Sequence, residues 1–428
     1  MKVLWFADYP PLAVRRRLGL AHNPGPQAWV DALADRLRHE PLVELSIATH
    51  GATRLPSFED ERITYHVLEQ PPQPSRLRGI VVNWRHRLPP AAALREAVAL
   101  VQKLAPDLVH VHGTEGASGL LAPRVSPTPC VISIQGILRA YEKHYFAGRS
   151  VADMAAVVAS REFLLGHGPA HGYLALCRRA DREERIMRGA RWFIGRTDWD
   201  KAMLAAVNPA ATYFHCDEIM RAPFYQAEWT ARGHVGTRLY TTSSGLMGKG
   251  TECLLKALAI LRRQGMTDVR LRVAGVHPNS ELESMYRRVA RREGIEQAVD
   301  WLGRLDAAHI VGELMAADVF VYASHVDNSP NSVVEAMAVG VPIVASSVGG
   351  LPTLVKDRKE GLLAPRGDAA AFAGAIRLLL NDTDMASRFG ARARVTAHAR
   401  NDPARIVKRT ISIYQEIVAS AANLQEQS

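Results

Sequence analysis

The chain has 428 residues, 47% of them hydrophobic and 22% charged, a composition typical of a soluble α/β protein with two or three domains. It lacks an uninterrupted apolar run of about 18 residues, so we expect no transmembrane helix. The net charge of +10 favours an anionic partner, but no nucleic-acid-binding motif accompanies it, and we expect no nucleic acid partner.

The first residues predict a β-strand rather than a secretory signal, because Asp8 interrupts the short apolar run 2–7. The four cysteines are widely spaced and form no Cys-x-x-Cys pair; they are Cys130, Cys177, Cys216 and Cys253. This spacing favours structural thiols in a reducing compartment. We therefore expect a cytoplasmic protein.

The first half of the chain alternates predicted strands and helices. A loop over residues 8–25 follows the first strand, and Gly25 opens a helix whose apolar side chains recur with helical spacing. Strands are predicted at 43–49 and 63–68, within 105–113, and at 131–134 and 192–194, and helices at 91–104 and 174–187. Residues 213–225 close this domain, and the polar segment 226–236 is the predicted linker.

Two polar segments of this half allow alternative interpretations. Residues 70–90 interleave arginines with apolar side chains and Trp84, which suits either a solvated loop over an apolar patch or peripheral contact with an anionic membrane. We expect the solvated loop and keep membrane contact as the alternative. Residues 195–200 combine glycine, charge and tryptophan, which suits either acceptor contact or internal ion pairing at a helix start.

The second half begins a new strand–helix series at residues 238–242. Its first loop, 243–250, contains Lys249, but Gly250 stands where a P-loop requires serine or threonine. Strands follow at 271–275 and 300–303. Helices are predicted at 370–380, 385–399 and 406–418, and residues 421–428 are expected to fray.

The stretch 318–345 joins a buried strand, 319–322, to a helix through a polar loop. Ser329 is predicted to cap the helix, with Pro330 at its first position, and Gly340 ends it. Asp327 therefore lies at the carboxyl end of a strand, and Glu335 lies on the next helix. The helix amino terminus offers backbone N–H groups to an anion such as a phosphate.

The sequence of this stretch resembles the signature of the family 4 glycosyltransferases. An acid, seven residues, Glu335 and then Ala-Met-Ala-x-Gly-x-Pro-Ile-Val-Ala match the family pattern, with Asp327 in place of the first glutamate. The resemblance implies an α/β protein of GT-B fold, with two Rossmann-like domains facing across a cleft. Residues 1–225 would bind the acceptor, residues 237–404 the nucleotide-sugar, and a C-terminal helix near 405–420 would cross back to the first domain.

The resemblance also implies a function: retaining, metal-independent transfer of a hexose from a nucleotide-diphosphate-sugar to an acceptor hydroxyl. The acceptor would be a glycan or a lipid-linked molecule of bacterial surface polysaccharide or glycolipid assembly. No cofactor or metal is expected beyond the donor. The implied site comprises Asp327 and Lys249 as catalytic residues; Gly25, Gly245, Lys249, Ser329, Asn331, Ser332 and Glu335 at the donor; and His112, Glu115 and Gln135 at the acceptor or sugar.

Besides Asp327, the chain departs from the family at three further places. Gln135 replaces a common histidine and cannot shuttle a proton near neutral pH, Ser243 and Ser244 occupy the place of an expected arginine, and Thr353 stands where glutamate is frequent. Gly25 fits a simple turn as well as a diphosphate contact. Asp327 is either catalytic or only sugar-binding. A GT-B nucleotide-sugar epimerase and an inactive sugar-binding relative remain alternative functions.

Overall fold

The structure is a computed structural model that describes residues 1–20, 28–51, 53–69, 91–149, 168–231, 237–243 and 248–426. The chain divides into two compact units. The first unit contains Met1–Glu142, Ser150–Ile219 and Asp402–Ser428, and the second contains Lys143–Arg149 and Met220–Asn401. Each unit has its own sheet and its own core, as expected for a chain of this length.

The first unit is built on an eight-stranded sheet of order β3-β4-β2-β1-β5-β6-β7-β8, in which only the β3–β4 pairing is antiparallel. The strands are β1 (Lys2–Ala7), β2 (Glu44–Gly51), β3 (Leu55–Asp60), β4 (Ile63–Glu69), β5 (Leu108–His112), β6 (Cys130–Ser133), β7 (Trp192–Gly195) and β8 (Thr212–His215). Their inner residues are almost continuously apolar, because helices cover both faces of a parallel sheet.

The α-helices among the described residues of the first half are α1 (Leu12–Arg17), α2 (Ala28–Leu37), α3 (Ala91–Leu104), α4 (Leu138–Lys143), α5 (Pro169–Gly189) and α6 (Asp198–Val207). Two features differ from expectation. Helix α1 lies within the predicted loop, where Val14 is buried and the Leu12 N–H donates to Asp31. The edge strand β3 was not predicted from the sequence, and none of its six residues is buried.

The C-terminal helix α15 (Pro403–Glu426) belongs to the first unit and is fastened to its sheet by a buried polar chain. Trp5 Nε1 donates to the Tyr414 hydroxyl over 3.0 Å, and that hydroxyl bonds His110 Nδ1 over 2.6 Å. His110 Nε2 in turn bonds the Ser133 hydroxyl. The helix continues through Glu426 with Ala421 buried, so the predicted fraying from residue 421 is wrong.

The second unit contains a parallel six-stranded sheet of order β11-β10-β9-β12-β13-β14. Its strands are β9 (Arg238–Thr242), β10 (Arg270–Ala274), β11 (Val299–Gly303), β12 (Val319–Tyr322), β13 (Ile343–Ser346) and β14 (Leu362–Ala364). Its helices are α7 (Ala222–Gln226), α8 (Thr251–Arg263), α9 (Glu281–Arg292), α10 (Ala307–Ala316), α11 (Asn331–Val339), α12 (Leu351–Leu354), α13 (Ala369–Asn381) and α14 (Thr383–Arg400).

The segment predicted as a linker is packed on the second unit as far as the structure describes it. The Trp229 N–H donates to the Val339 carbonyl and its indole N–H donates to the Ala317 carbonyl, at 2.8 and 2.7 Å. The chain passes into the second unit after Ile219, whereas the sequence assigned residues up to 225 to the first domain. Arg221 is therefore a residue of the second unit.

Both sheets reverse their strand order at one internal point, and such switch points open a crevice at the carboxyl ends of the strands. In the first unit the reversal lies between β1 and β5, and in the second between β9 and β12. The second of these points is where the predicted loops around Lys249 and Asp327 meet. Among the described residues, no helix is both long and apolar enough to cross a membrane.

Gly250 makes the close packing at the second switch point possible. Its φ is +69°, and a Cβ added there would lie 1.8 Å from the Ala323 carbonyl oxygen. We expect Gly250→Ala to lower the free energy of unfolding by about 2 kcal/mol, measured by urea or thermal unfolding. Gly374→Ala is the control, because this exposed glycine of α13 has open space around it and alanine should stabilise the helix by about 0.5–1 kcal/mol. Equal effects of the two substitutions would contradict this account.

Candidate active site

A pocket of about 490 Å³ lies at the carboxyl edge of the second sheet. Backbone and small side chains at the ends of β9 and β10 form one wall, and the amino terminus of α11 forms another. The pocket is rich in positive charge and hydrogen-bond donors: its polar lining includes Ser243, Lys249, His277, Arg304, Asn331 and Ser332. It is therefore suited to an anionic ligand.

Lys249 and Asp327 form an ion pair beside this pocket. Lys249 Nζ donates to Asp327 Oδ2 over 2.5 Å and to the Tyr322 hydroxyl over 2.9 Å. Asp327 is 6% exposed, and its other carboxylate oxygen, Oδ1, accepts from the Asn328 N–H. The sequence predicted both charged residues as site residues but did not predict that they pair.

The loop that carries Asp327 is also held by the glycine turn at residues 349–350. The Gly350 N–H donates to the Asp327 carbonyl over 3.0 Å. Gly349 has a φ of +52°, and a Cβ there would lie 1.9 Å from the same carbonyl oxygen. The turn therefore positions the Asp327 backbone through contacts that a larger residue would obstruct.

Helix α11 begins one residue later than the sequence predicted. Pro330, with an extended ψ of 118°, is the N-cap residue, and the Val333 N–H donates to its carbonyl. Ser329 lies outside the helix and does not cap it, so that prediction is wrong. The N-cap residue contributes no side-chain hydrogen bond, and Asn331 and Ser332 of the first turn line the pocket. This geometry aims the positive end of the helix dipole at the pocket.

Glu335, one turn further along α11, is paired with an arginine that sequence reasoning did not place in the site. Arg221 donates to Glu335 Oε1 through Nε and through NH2, at 3.1 and 2.6 Å, and its guanidinium packs over the Phe224 ring. Burial raises the pKa of the Glu335 carboxyl, and the Arg221 charge opposes this rise. No spacing rule connects the two residues, which are 114 positions apart.

A second polar group lies in the first unit at the ends of β6 and β7. Arg196 NH1 donates to Glu218 over 2.6 Å and NH2 donates to Gln135 Oε1 over 3.0 Å, while Gln135 Nε2 donates to Glu218 over 2.8 Å. These three side chains form a closed ring that lines a small cavity. The ring fixes the orientation of the Gln135 amide. Burial raises the pKa of Glu218, and the Arg196 charge opposes it.

The cluster at residues 195–200 makes the internal contacts that were one of its two interpretations. Thr197 and Asp200 form a capping box at the start of α6, in which each side chain accepts from the other residue's backbone N–H. Arg196 forms the ion pair with Glu218 described above.

The two histidines of β5, His110 and His112, are both buried. His112 is 1% exposed and packs edge-on against Trp5 and Trp29, with ring centroids 4.4 and 5.2 Å apart. Burial lowers the pKa of both rings, that of His110 to about 3. His112 lines the same cavity as Gln135, as a neutral aromatic wall.

Two carboxylates follow the strands at the switch point of the first unit. Glu115 is half-buried, and burial raises its pKa, with the nearby Asp8 charge adding to the rise. Burial likewise raises the pKa of Asp8, against the opposing charge of Arg182. Glu115 therefore lies at the sheet edge where it was predicted, but it does not join the lining of the cavity around Gln135.

The structure thus brings Lys249, Asn331 and Ser332 to one pocket and joins Asp327 to Lys249. Gly25 and Gly245 lie outside the described residues. Among the residues that the structure describes, no group of three or more histidine, cysteine or carboxylate side chains is arranged to hold a metal ion.

Comparison with known sequences places residues 240–396 in the family of glycosyl transferases group 1. The matched residues lie within the second unit and include Lys249, Asp327 and Glu335. D-inositol 3-phosphate glycosyltransferase of Corynebacterium efficiens is 30% identical over 179 residues, which are 40% of this chain. The match spans 42% of that relative's length.

Solved structures are similar over almost the whole chain, and two of them serve as examples here. Sucrose-phosphate synthase from Thermosynechococcus elongatus has a TM-score of 0.71 and 17% identity, covering 98% of this chain and 100% of that one. HepE of Anabaena, in complex with UDP-glucose, has a TM-score of 0.64 and 17% identity, covering 99% of this chain and 100% of that one. At these identities the likeness establishes the fold, which confirms the predicted GT-B class of two Rossmann-like domains.

The Arg221–Glu335 pair gives the candidate site a measurable pH dependence. A carboxyl whose folded-state pKa is raised binds a proton more readily when folded, so its contribution to stability improves as pH falls. Arg221→Met removes the opposing charge and raises that pKa further. We expect the free energy of unfolding to fall by about 2 kcal/mol near pH 8, since Arg221 is partly exposed, and by less near pH 5.

The measurement is denaturant unfolding of Arg221→Met and of the exposed-arginine control Arg388→Met at both pH values. The control should change stability by less than about 0.5 kcal/mol. A loss in Arg221→Met that is the same at the two pH values would show that Glu335 does not cause it.

Proposed function

We propose that the protein transfers a sugar from a nucleotide-diphosphate-sugar to an acceptor hydroxyl, with retention at the anomeric carbon. The observation that carries the proposal is the pocket that joins Lys249 to the amino terminus of α11. The match of residues 240–396 to the group 1 family and the UDP-glucose complex of the structurally similar HepE support the same conclusion.

The donor diphosphate would bind between Lys249 and the first turn of α11. Lys249 supplies a full positive charge, and the N–H groups of the turn around Asn331 and Ser332 supply oriented dipoles. These groups would also stabilise the charge that develops on the departing diphosphate. The proposal therefore needs no metal ion. Glu335 would bind the ribose hydroxyls, in keeping with the role that the family motif implies.

Asp327 would contact the transferred sugar close to the reacting carbon. It is joined to Lys249, so a group that touches the sugar and a group that touches the phosphate are held in one arrangement. In the first unit, the ring of Gln135, Arg196 and Glu218 offers both donors and acceptors to the hydroxyl groups of an acceptor. His112 and Glu115 remain proposed as acceptor or sugar contacts.

The acceptor is proposed as a polyol, glycan or lipid-linked glycan of surface polysaccharide or glycolipid assembly at the cytoplasmic face of the membrane. The similar Corynebacterium efficiens protein is named for glycosyl transfer to D-inositol 3-phosphate, a phosphorylated polyol. This proposal needs only a hydroxyl nucleophile that is presented to the sugar carbon.

The test is a donor screen by thermal shift and by sugar transfer or hydrolysis, with UDP-, GDP-, ADP- and dTDP-sugars and without added metal. We expect one nucleotide class to stabilise the protein and to be consumed. Lys249→Ala and Glu335→Ala should weaken its binding roughly 10- to 100-fold, because each removes charged hydrogen bonds to the donor. Lys256→Ala, an exposed lysine of α8, should bind the donor as the wild type does.

Each other outcome has a defined meaning. No response to any donor would contradict the transferase and favour an inactive relative with another anionic partner. Conversion of the donor into an epimeric nucleotide-sugar without any acceptor would favour an epimerase. Equal loss of binding in Lys256→Ala would show that the pocket is not the donor site.

Membrane contact is a separate part of the proposal and rests on the sequence of residues 70–90, which lie outside the described residues. Co-sedimentation with anionic vesicles should fall when four arginines, Arg76, Arg78, Arg85 and Arg87, are changed to serine, because each basic side chain contributes to surface attraction. Unchanged vesicle binding would contradict membrane contact and leave the transferase proposal intact.

A further inference from the structure

Tyr322 occupies an unusual position for a core aromatic residue. It is the last residue of β12 and is 2% exposed, yet it also contributes to the lining of the pocket that contains Lys249. Its ring is anchored in the core of the second unit, where it stacks on Phe320. The hydroxyl is thus carried by a rigid strand end to the edge of the candidate site.

This hydroxyl contacts both members of the ion pair. It donates to Asp327 Oδ2 over 2.5 Å and accepts from Lys249 Nζ over 2.9 Å. Burial raises the pKa of Tyr322, and the Asp327 charge raises it further, so the phenol keeps its proton and remains a donor. The Asn328 N–H donates to the other carboxylate oxygen, Oδ1. Each oxygen of the Asp327 carboxylate therefore accepts a hydrogen bond from a group other than Lys249.

Binding of a nucleotide-sugar would affect these hydrogen bonds differently. A diphosphate in the pocket would offer Lys249 a second anion, and a flexible ammonium can turn from one acceptor to another. The Tyr322 hydroxyl and the Asn328 N–H belong to the strand and loop that carry Asp327, and they stay where they are. The Asp327 carboxylate would therefore keep two hydrogen bonds, from Tyr322 and Asn328, when Lys249 binds phosphate.

We propose that Tyr322 is a positioning residue, whose hydroxyl holds the Asp327 carboxylate in place while Lys249 binds the donor diphosphate. The inference rests on the proposed function, because it assigns Tyr322 to the step in which Asp327 meets the sugar. It makes a specific demand: loss of the hydroxyl should affect turnover, whereas binding of the nucleotide, which depends on Lys249 and α11, should persist.

The test compares Tyr322→Phe with Tyr240→Phe in the full chain. Tyr240 is a matched control: it is a fully buried tyrosine on the neighbouring strand β9, and its hydroxyl has no hydrogen-bond partner among the described residues. We expect Tyr322→Phe to lower kcat about 10- to 100-fold, as misplacement of a reacting group does. The Kd for the nucleoside diphosphate should stay within about threefold of wild type, and Tyr240→Phe should change neither quantity.

A double-mutant cycle with Asp327→Asn separates positioning from a general effect on the fold. If Tyr322 acts through Asp327, the double variant should lose little more activity than Asp327→Asn alone, whereas independent effects would multiply. Suppose that the wild type is active but Tyr322→Phe has the same kcat as Tyr240→Phe, or that the effects of Tyr322→Phe and Asp327→Asn multiply in the double variant. Either result would overturn this inference and leave the proposed function intact. A wild type that turns over no donor would overturn the proposed function and this inference with it.

Discussion

The partly buried ion pair between Lys249 and Asp327 is the interaction on which the candidate site depends. Removing a charged group from water costs free energy. The pair is therefore stable only because each partner also makes hydrogen bonds to other groups. Tyr322 bonds both members, and the Asn328 N–H and the glycine turn at residues 349–350 fix the aspartate loop. The pair therefore joins the loop after β9 to the loop after β12.

Topology explains why those two loops meet. The order of strands in the second unit reverses between β9 and β12, so consecutive connections leave the sheet in opposite directions and a crevice opens between them. Glycines permit the close approach, since Gly250 touches the Ala323 carbonyl and Gly349 touches the Asp327 carbonyl. Helix α11 begins at this crevice. Glu335 lies one turn along the helix and forms an ion pair with Arg221.

Local pattern was enough to predict the elements that carry this site, but not the contacts within it. The strand 319–322, the polar loop and Gly340 at the end of α11 followed from apolar runs and turn residues. Arg221 bonds Glu335 from 114 positions away, and Tyr322 bonds Lys249 from 73 positions away. No spacing rule predicts either contact, because tertiary packing brings the partners together. The N-cap was misplaced by one residue because serine and proline both favour helix starts. His112 shows the same limit: its place at a strand end was predictable, whereas its burial between two tryptophans was not.

The central claim is that the pocket beside Lys249 and α11 receives the diphosphate of a nucleotide-sugar. The most direct measurement is a crystal structure of the protein soaked with the nucleoside diphosphate that stabilises it best. The account predicts phosphate oxygens within hydrogen-bond distance of Lys249 Nζ and of the N–H groups at the start of α11, with ribose hydroxyls at Glu335. A nucleotide bound elsewhere, with the Lys249–Asp327 pair unchanged and the pocket empty, would contradict it.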